Sequence, residues 1–426
     1  MNKKRVVITG MGVMAPNGTG VDEFYQSLLE GKSGISFQED SAELGYRCQI
    51  GGVPKYNEEY LRKYFPKIYV EVLKNQGIIY GCLAGLEAWE MAGLPKNETR
   101  EPRMGLVFGS GATGMDILSK DTFHAINNKR HRVLGTTTIP QSMNSGAAAY
   151  LNQILGLGGP NISNSSACTT GSESILIGYE QIQMGKAEVM ICGSSEGIGR
   201  YIWGAFDAMR ILCPNANETP ETGSRPMSNR SSGFVPSGGS GSVVLETLES
   251  AQNRGATIYA ELIGAYQNCG GMRDGGSMTA PNPSAAAECI RGAIDHAGIA
   301  AEEIDLISGH LTSTMADPLE IKVWKDALDL PEEKFPLINT PKSMIGHCIA
   351  GAGSVESVAS ILQIHRSFVH KNLNLTEDTI HPEIAKAIPA DKIVLDTKKQ
   401  EINTVIKSNF GFGDVNCCLI FRHFDK

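Results

Sequence analysis

Cys168 is the residue of this sequence best placed to do chemistry. Small residues precede it (165–167) and follow it (169–171), so little side-chain bulk shields its sulfur. The next segment, 172–184, has apolar residues at helical spacing, which places the thiol at the first turn of a helix; they are Ile175, Leu176, Tyr179 and Ile182, and Gly185 is expected to end that helix. The helix dipole favours a thiolate there, but by only about 0.3–1 kcal/mol. A nucleophilic Cys168 therefore needs help from other groups in the chain.

Two histidines and a lysine lie downstream, in turn-rich segments that follow predicted strands. His310 is in one segment, and Lys342 and His347 are in a second. Imidazole and ammonium groups can move protons and bind negative charge, which thiol catalysis requires. A lone histidine is more often a hydrogen-bonded structural residue. The significance of these residues therefore depends on the fold bringing them to Cys168.

Further donor and aromatic side chains accompany the histidines. They follow His310 or lie in a Gly-rich third segment, and they are Thr312, Thr314, Asp317, Glu320, Phe410 and Phe412. Standing alone, the carboxylates would be read as solvated surface charges. We therefore interpret them only as a set with Cys168 and the histidines.

Two short motifs offer other functions. Residues 109–114 fit G-x-G-x-x-G, but a dinucleotide site also needs an acid about 20 residues on, and residues 128–132 are Asn-Lys-Arg-His-Arg. We expect a tight turn. Residues 193–197 fit G-x-S-x-G, which leaves a serine hydrolase open, with Ser195 as its nucleophile. Labelling of Ser195 by a fluorophosphonate probe would support that alternative.

Composition excludes several classes of function. The 426 residues are 41% hydrophobic with a net charge of −8, which argues against non-specific nucleic-acid binding. The sequence contains no run of eighteen apolar residues, so it predicts no membrane-spanning helix. The ten cysteines lack C-x-x-C spacing, so we expect reduced thiols in the cytoplasm and no zinc or other metal site.

Strand and helix patterns alternate along the chain, which indicates an α/β fold with mostly parallel sheets. Residues 5–9 read as a first strand that turns at Gly10–Gly12, and residues 60–92 carry long helical periodicity. The pattern begins again near residue 251. We therefore predict two halves, 1–250 with Cys168 and 251–426 with both histidines. The Asn-, Ser- and Gly-rich segment 214–241 is predicted to line a surface cleft.

Taken in order, the motifs resemble the β-ketoacyl-[acyl-carrier-protein] synthases of the two-histidine class (types I and II), closest to type II. The resemblance runs nearly end to end and rests on residues 7–12, 159–171, His310-x-Thr312-Ser313-Thr314, Lys342 with His347, and Phe410–Gly413. It implies a duplicated thiolase-like αβαβα layered sandwich. The active site of that fold lies where its two central helices meet.

The resemblance also implies roles for the main residues. Cys168 would be the nucleophile, and the backbone N–H groups of Cys168 and Phe412 would bind the oxyanion. His310 and His347 would donate to the enolate that forms when malonyl thioester loses CO2. Lys342 would hold charge near the second histidine.

The accompanying residues have implied roles as well. Thr312 and Thr314 would hydrogen-bond the pantetheine amides, and Phe410 would contact substrate. Phe412 would also form a gate between the acyl tunnel and the malonyl side. Asp317 and Glu320 would orient the network, with Glu320 facing Lys342.

The implied reaction is a decarboxylative Claisen condensation of an acyl thioester with malonyl-[acyl-carrier-protein], in fatty acid, polyene or polyketide synthesis. We expect no cofactor, because the substrates are carried on the phosphopantetheine of an acyl carrier protein. The expected partners are that carrier and a second subunit, either a copy of this chain or a paralogue.

Departures from the family pattern bear on the substrate. Leu311 stands where the family usually has glycine, the loop to Asp317 is one residue shorter, and Asp414 replaces an expected glycine. The segment 227–233 lacks the usual acidic residues. We therefore predict that the chain serves a specialised pathway, for an unusual fatty acid, polyene or polyketide, and is not the housekeeping elongation enzyme.

Two alternatives remain within the fold. A non-decarboxylating thiolase needs a second cysteine as base, and Cys348, Cys417 and Cys418 lie near the right regions; His310 and Lys342 argue against it. A non-catalytic chain-length partner commonly lacks the nucleophile, whereas Cys168 is present.

Overall fold

The computed structural model of the protein describes residues 4–424. Its strands are β1 Val6–Ala15, β2 Gly18–Thr19, β3 Ile35–Phe37, β4 Ile50–Gly52, β5 Met104–Ser110, β6 Asn161–Ile162, β7 Val189–Glu196, β8 Gly239–Thr247, β9 Ala260–Cys269, β10 Leu306–Ser308, β11 Leu337–Asn339, β12 Phe368–Val369, β13 Lys398–Lys399, β14 Thr404–Gly411 and β15 Val415–Arg422.

The α-helices are α1 Val21–Glu30, α2 Glu39–Glu43, α3 Glu58–Tyr64, α4 Lys67–Val72, α5 Gln76–Met91, α6 Met115–Ile117, α7 His124–Asn127, α8 Thr138–Ser142, α9 Gly146–Leu155, α10 Thr170–Gln183, α11 Arg200–Ala208, α12 Leu248–Asn253, α13 Pro283–Ala297, α14 Asp317–Leu328, α15 Lys342–Ile345, α16 Ala352–Arg366 and α17 Pro382–Ala387. Within residues 4–424, no helix is long and apolar enough to cross a membrane.

One 11-stranded sheet organises the described chain, in the order β11-β10-β14-β15-β9-β1-β8-β7-β5-β6, with β2 paired to β1. The same arrangement occurs twice along it. In the first half β6, β5 and β7 are parallel, and β8 and β1 continue antiparallel. In the second half β11, β10 and β14 are parallel, and β15 and β9 continue antiparallel. The two sets join where β1 pairs with β9.

The expectation of mostly parallel sheets is wrong. The central strands, from β14 to β7, all pair antiparallel, and parallel pairs occur only toward the two ends of the described sheet. Helical crossovers make the parallel pairs, whereas β14 and β15 are joined directly by a short turn. Alternating strands and helices indicate the fold class but not the direction of each strand.

Helices α10 and α16 lie at the centre of the molecule and approach each other closely at two glycines. A Cβ on Gly171 would lie 2.3 Å from the backbone nitrogen of Ser354, and one on Gly353 would lie 2.5 Å from that of Ser172. Each helix is entered through a short 3₁₀ turn, at Ala167–Thr169 and at Ile349–Gly351. The contact therefore brings the starts of both helices together.

Two other local predictions are corrected. Gly10 and Gly12 do not form a turn but lie within β1, because α5 packs against them: a Cβ on Gly12 would lie 1.9 Å from the carbonyl oxygen of Ala84. The helical stretch 60–92 is divided into α3, α4 and α5. Pro66 lacks the N–H that would continue α3, and the Asn75 side chain caps α5.

Candidate active site

A cavity of about 460 Å³ opens where the two central helices begin. Its wall includes Cys168, His310, His347, Phe410 and Phe412, so both halves of the chain contribute. Residues 231–234, from the segment predicted to line a cleft, also face it. The Cys168 sulfur, one ring nitrogen of His310 and one ring nitrogen of His347 all lie within 4.8 Å of one another. The structure therefore brings together the three residues singled out in the sequence.

Cys168 sits in a strained turn that presents its sulfur to the cavity. Ala167 has a φ of 50°, in the left-handed region, and the Thr170 hydroxyl holds the turn by donating to the Ala167 carbonyl at 2.7 Å. Burial raises the pKa of the thiol to about 11, although the Lys342 charge lowers it. The thiolate that the helix dipole favours is therefore not the resting form, and the thiol loses its proton only as the sulfur reacts.

Two backbone donors converge on this sulfur. The N–H groups of Phe412 and of Cys168 itself both interact with it and lower its pKa. Gly411, at the end of β14, packs directly on this turn, since a Cβ there would lie 3.3 Å from the Cys168 nitrogen. Preorganised N–H pairs of this kind stabilise an oxyanion formed next to the nucleophile. These are the two donors predicted for that task.

His347 is buried and neutral at physiological pH. Burial, followed by the Lys342 charge, lowers its pKa to about 3. Its Nδ1 accepts the Ile349 N–H at 3.0 Å, so the single ring proton is on Nε2. Its ring lies edge-on to that of His310, with centroids 5.4 Å apart. His347 is therefore a hydrogen-bond donor at Nε2.

His310 is also neutral, because burial first, and then the nearby Lys342, His347 and Lys407, lower its pKa well below the ordinary value. The loop that carries it is held by Glu320, whose carboxylate accepts the N–H groups of His310 and Leu311, both at 2.7 Å. Burial raises the pKa of Glu320 to about 7, against these hydrogen bonds. Asp317 holds the next residues through the N–H groups of Thr312 and Ser313.

The prediction that Glu320 faces Lys342 is wrong. Lys342 is fully buried and forms its ion pair with Glu356, on α16. A second buried cation, Lys407, contacts the other oxygen of the same carboxylate at 2.8 Å. Burial alone would raise the pKa of Glu356, but the two ammonium groups hold it below its ordinary value. Sequence reasoning missed Glu356, although it is the one charged residue in the apolar stretch 350–364.

The remaining predicted residues line the cavity. The Thr312 and Thr314 hydroxyls lie 2.9 Å apart and are half-buried. The Phe410 ring lies 6.2 Å from that of His310, and the Phe412 ring lies 6.3 Å from that of Phe206. Thr312, Thr314, Phe410 and Phe412 thus line the same cavity as Cys168.

The alternatives from the sequence are not supported by this geometry. Ser195 is fully buried within β7, so it is not the exposed nucleophile that an elbow requires. Cys348, Cys417 and Cys418 are also fully buried, and none of the three is among the described residues that line the cavity. A second thiol base is therefore not in place.

Asp414 replaces an expected glycine and ties two cavity segments together. Its φ is 61°, and its carboxylate accepts the N–H groups of Met272 at 2.8 Å and Asn282 at 2.7 Å. The Gly413 N–H also donates to the Met278 carbonyl, at 2.9 Å. The Phe412 turn is therefore fixed to segment 270–282.

Replacing Asp414 by glycine should loosen this tether. The change relieves a positive φ but removes two charge-assisted hydrogen bonds, so we expect faster amide hydrogen exchange in 270–282 and 411–414, and a stability loss of about 2 kcal/mol. Asp274→Gly is the matched control, since Asp274 is exposed and has a φ of 49°. Equal exchange in the two variants would contradict the tether.

Comparison with known proteins places this geometry in one family. Residues 3–251 match the β-ketoacyl synthase N-terminal domain and residues 259–376 match the C-terminal domain. The chain is 35% identical over 434 residues to 3-oxoacyl-[acyl-carrier-protein] synthase 2 of Coxiella burnetii, and the match covers 100% of both chains.

Solved structures agree. A type II polyketide synthase acyl-carrier protein in complex with its ketosynthase bound to the hexaketide gives a TM-score of 0.87 at 26% identity, covering 100% of both chains. The ishigamide ketosynthase/chain length factor gives a TM-score of 0.86 at 25% identity, covering 99% of this chain and 100% of that one. The thiolase-like fold is thereby confirmed.

Proposed function

The chain belongs to the β-ketoacyl synthase family, and on that premise we propose that it condenses an acyl thioester on Cys168 with malonyl-[acyl-carrier-protein], releasing CO2. The observation that carries the proposal is the meeting of one thiol and two neutral imidazoles within 4.8 Å at a cavity open to solvent. No cofactor enters the reaction as we propose it.

Acyl transfer comes first. The Cys168 sulfur attacks the carbonyl of the carrier-bound thioester, the carbon–sulfur bond to the pantetheine breaks, and the thiol proton passes to the departing pantetheine thiolate. The backbone N–H groups of Cys168 and Phe412 stabilise the oxyanion between these steps. The products are acyl-Cys168 and the free carrier thiol.

Condensation follows. The bond between the malonyl α-carbon and its carboxylate breaks, CO2 leaves, and the electron pair becomes an enolate whose oxygen accepts hydrogen bonds from His310 and His347. The enolate carbon then attacks the acyl-Cys168 carbonyl, the bond from that carbon to the Cys168 sulfur breaks, and the departing thiolate takes up a proton from solvent water, which reaches the open cavity. Thr312 and Thr314 bind the pantetheine arm during both steps, while Phe410 contacts the substrate and Phe412 acts as a gate.

The assay that tests the function compares two substrate pairs. With acyl-carrier and malonyl-carrier we expect β-ketoacyl-carrier and one CO2 per product, whereas two acetyl-CoA molecules should give no product. Product formed without CO2 release would contradict the proposal and favour thiolase chemistry.

Decarboxylation should depend little on pH. A histidine with a lowered pKa stays neutral at every pH above that pKa, and the pKa of His347 is lowered to about 3. Malonyl-carrier decarboxylation by the Cys168→Ala variant should therefore be flat between about pH 5 and 8, and should fall only as the pH approaches the lowered value. A rise centred near pH 6.5, the value of an ordinary histidine, would contradict the neutral-donor arrangement.

We propose an acyl carrier protein as the partner at the cavity mouth, where the exposed Arg210 can meet an acidic surface.

We also propose a second subunit, a copy or a paralogue, packed against β6. Ile126, Val133 and Ile139 expose 53%, 63% and 63% of their surface, and the Ser163 hydroxyl, just after β6, contacts the Asn144 carbonyl at 3.4 Å. The ten free cysteines fit our prediction of a cytoplasmic location.

The double variant Val133→Asp, Ile139→Asp should lower the mass measured by light scattering from that of a dimer to that of one chain, because it places two charges in the apolar face. Met184→Asp, at another exposed apolar residue, is the control and should leave the mass unchanged. A wild-type protein that is monomeric at micromolar concentration would contradict self-association.

A further inference from the structure

Asn409 is a fully buried amide on β14 that lies beside His310 and contacts four polar groups. Its Nδ2 lies 3.2 Å from His310 Nδ1 and 3.0 Å from a Glu356 oxygen. Its Oδ1 receives the Ser172 hydroxyl at 2.6 Å and the Lys407 ammonium group. The amide thus connects the buried charges to the first histidine.

The partners of Asn409 settle which way its amide faces. The Lys407 ammonium can only donate, so the atom that meets it must be the amide oxygen. The Glu356 carboxylate can only accept, so the atom that meets it must be the amide nitrogen. The NH2 group therefore faces His310, and the His310 Nδ1 must accept.

We propose that Asn409 is a positioning residue that fixes the tautomer of His310, with Lys407 and Glu356 fixing the orientation of Asn409. A neutral imidazole carries one proton, and an accepting Nδ1 leaves that proton on Nε2. His310 then presents a donor to the enolate, as His347 does through the Ile349 N–H. The inference rests on the proposed decarboxylation and explains how both rings become donors.

Charge around His310 supports the same state. Lys342 and Lys407 are fully buried, and both lower the pKa of the imidazole after burial itself. An amide N–H directed at Nδ1 also opposes a second proton there. His310 therefore keeps one proton, at Nε2, across the physiological range.

Asn409→Asp tests the inference, because it replaces the donating NH2 by an accepting oxygen of the same shape. The neutral His310 would then carry its proton on Nδ1 and could donate from Nε2 only as imidazolium. We expect malonyl-carrier decarboxylation to fall about 10²-fold or more at pH 8, and to decline as the pH rises instead of staying flat. Asn409→Leu, which removes the contact without adding an acceptor, should lose less activity and keep a flat profile.

Two controls separate folding from positioning. Asn416→Asp puts the same change at another fully buried asparagine, bonded to Asn268 at 3.0 Å, and should keep the flat profile. Acylation of Cys168 by acyl-carrier should persist in both Asn409 variants, since it does not require the His310 donor.

The outcomes are distinguishable. A wild-type protein that does not decarboxylate malonyl-carrier would overturn the proposed function. A wild-type protein that does, beside an Asn409→Asp variant with a flat profile or with a loss no greater than that of Asn409→Leu, would overturn the tautomer assignment alone.

Discussion

Replacing Cys168 by alanine should lower condensation by about 10⁴-fold or more, because no other thiol lines the described cavity and the acyl group then has no covalent carrier. Decarboxylation of malonyl-carrier should remain measurable, since the His310 and His347 donors are intact. Product formation and CO2 release, measured separately with the same substrates, give the two rates.

Cys348→Ala is the matched control for this variant. Cys348 is fully buried, and it is one of the three cysteines, with Cys417 and Cys418, considered as the base of a thiolase mechanism. Condensation within a few-fold of wild type is expected. If Cys348→Ala lost condensation and Cys168→Ala retained it, the reacting thiol would be Cys348, and the role of Cys168 would be contradicted.

Replacing Glu356 by glutamine should cost about 3–5 kcal/mol of unfolding free energy, because it leaves Lys342 and Lys407 buried without a counter-charge. Both lysines are fully buried, so water cannot compensate. Denaturant unfolding followed by circular dichroism measures the change.

A surface pair is the control for this second variant. Glu332 bonds Lys325 at 3.4 Å, and its side chain is 61% exposed, so Glu332→Gln should change stability by at most about 1 kcal/mol. A Glu356→Gln variant as stable as Glu332→Gln would show that the buried lysines do not need the carboxylate.

Local signals in the sequence predicted several elements well. The spacing of Ile175, Leu176, Tyr179 and Ile182 predicted the buried face of α10, and all four are buried. Gly185, just beyond that helix, has the left-handed φ of 72° expected at such a position. These predictions succeed because periodicity and backbone conformation are properties of neighbouring residues.

Pairings between distant residues could not be predicted in this way. Glu320 and Glu356 are both acids on helices, α14 and α16, and the difference is that Glu356 lies beside two lysines. Likewise, Gly10 and Gly12 are read as a turn until α5 is seen to pack on them. The residue types in the sequence predict the site, whereas the buried ion pairs of Glu356 with Lys342 and Lys407 depend on tertiary packing.

The most direct test of the account follows one acyl group by intact mass and peptide mapping. Incubation with acyl-carrier should add one acyl mass, located on Cys168, and addition of malonyl-carrier should remove it with release of CO2 and formation of β-ketoacyl-carrier. Acylation at another residue, or an acyl-Cys168 that malonyl-carrier does not discharge, would contradict it.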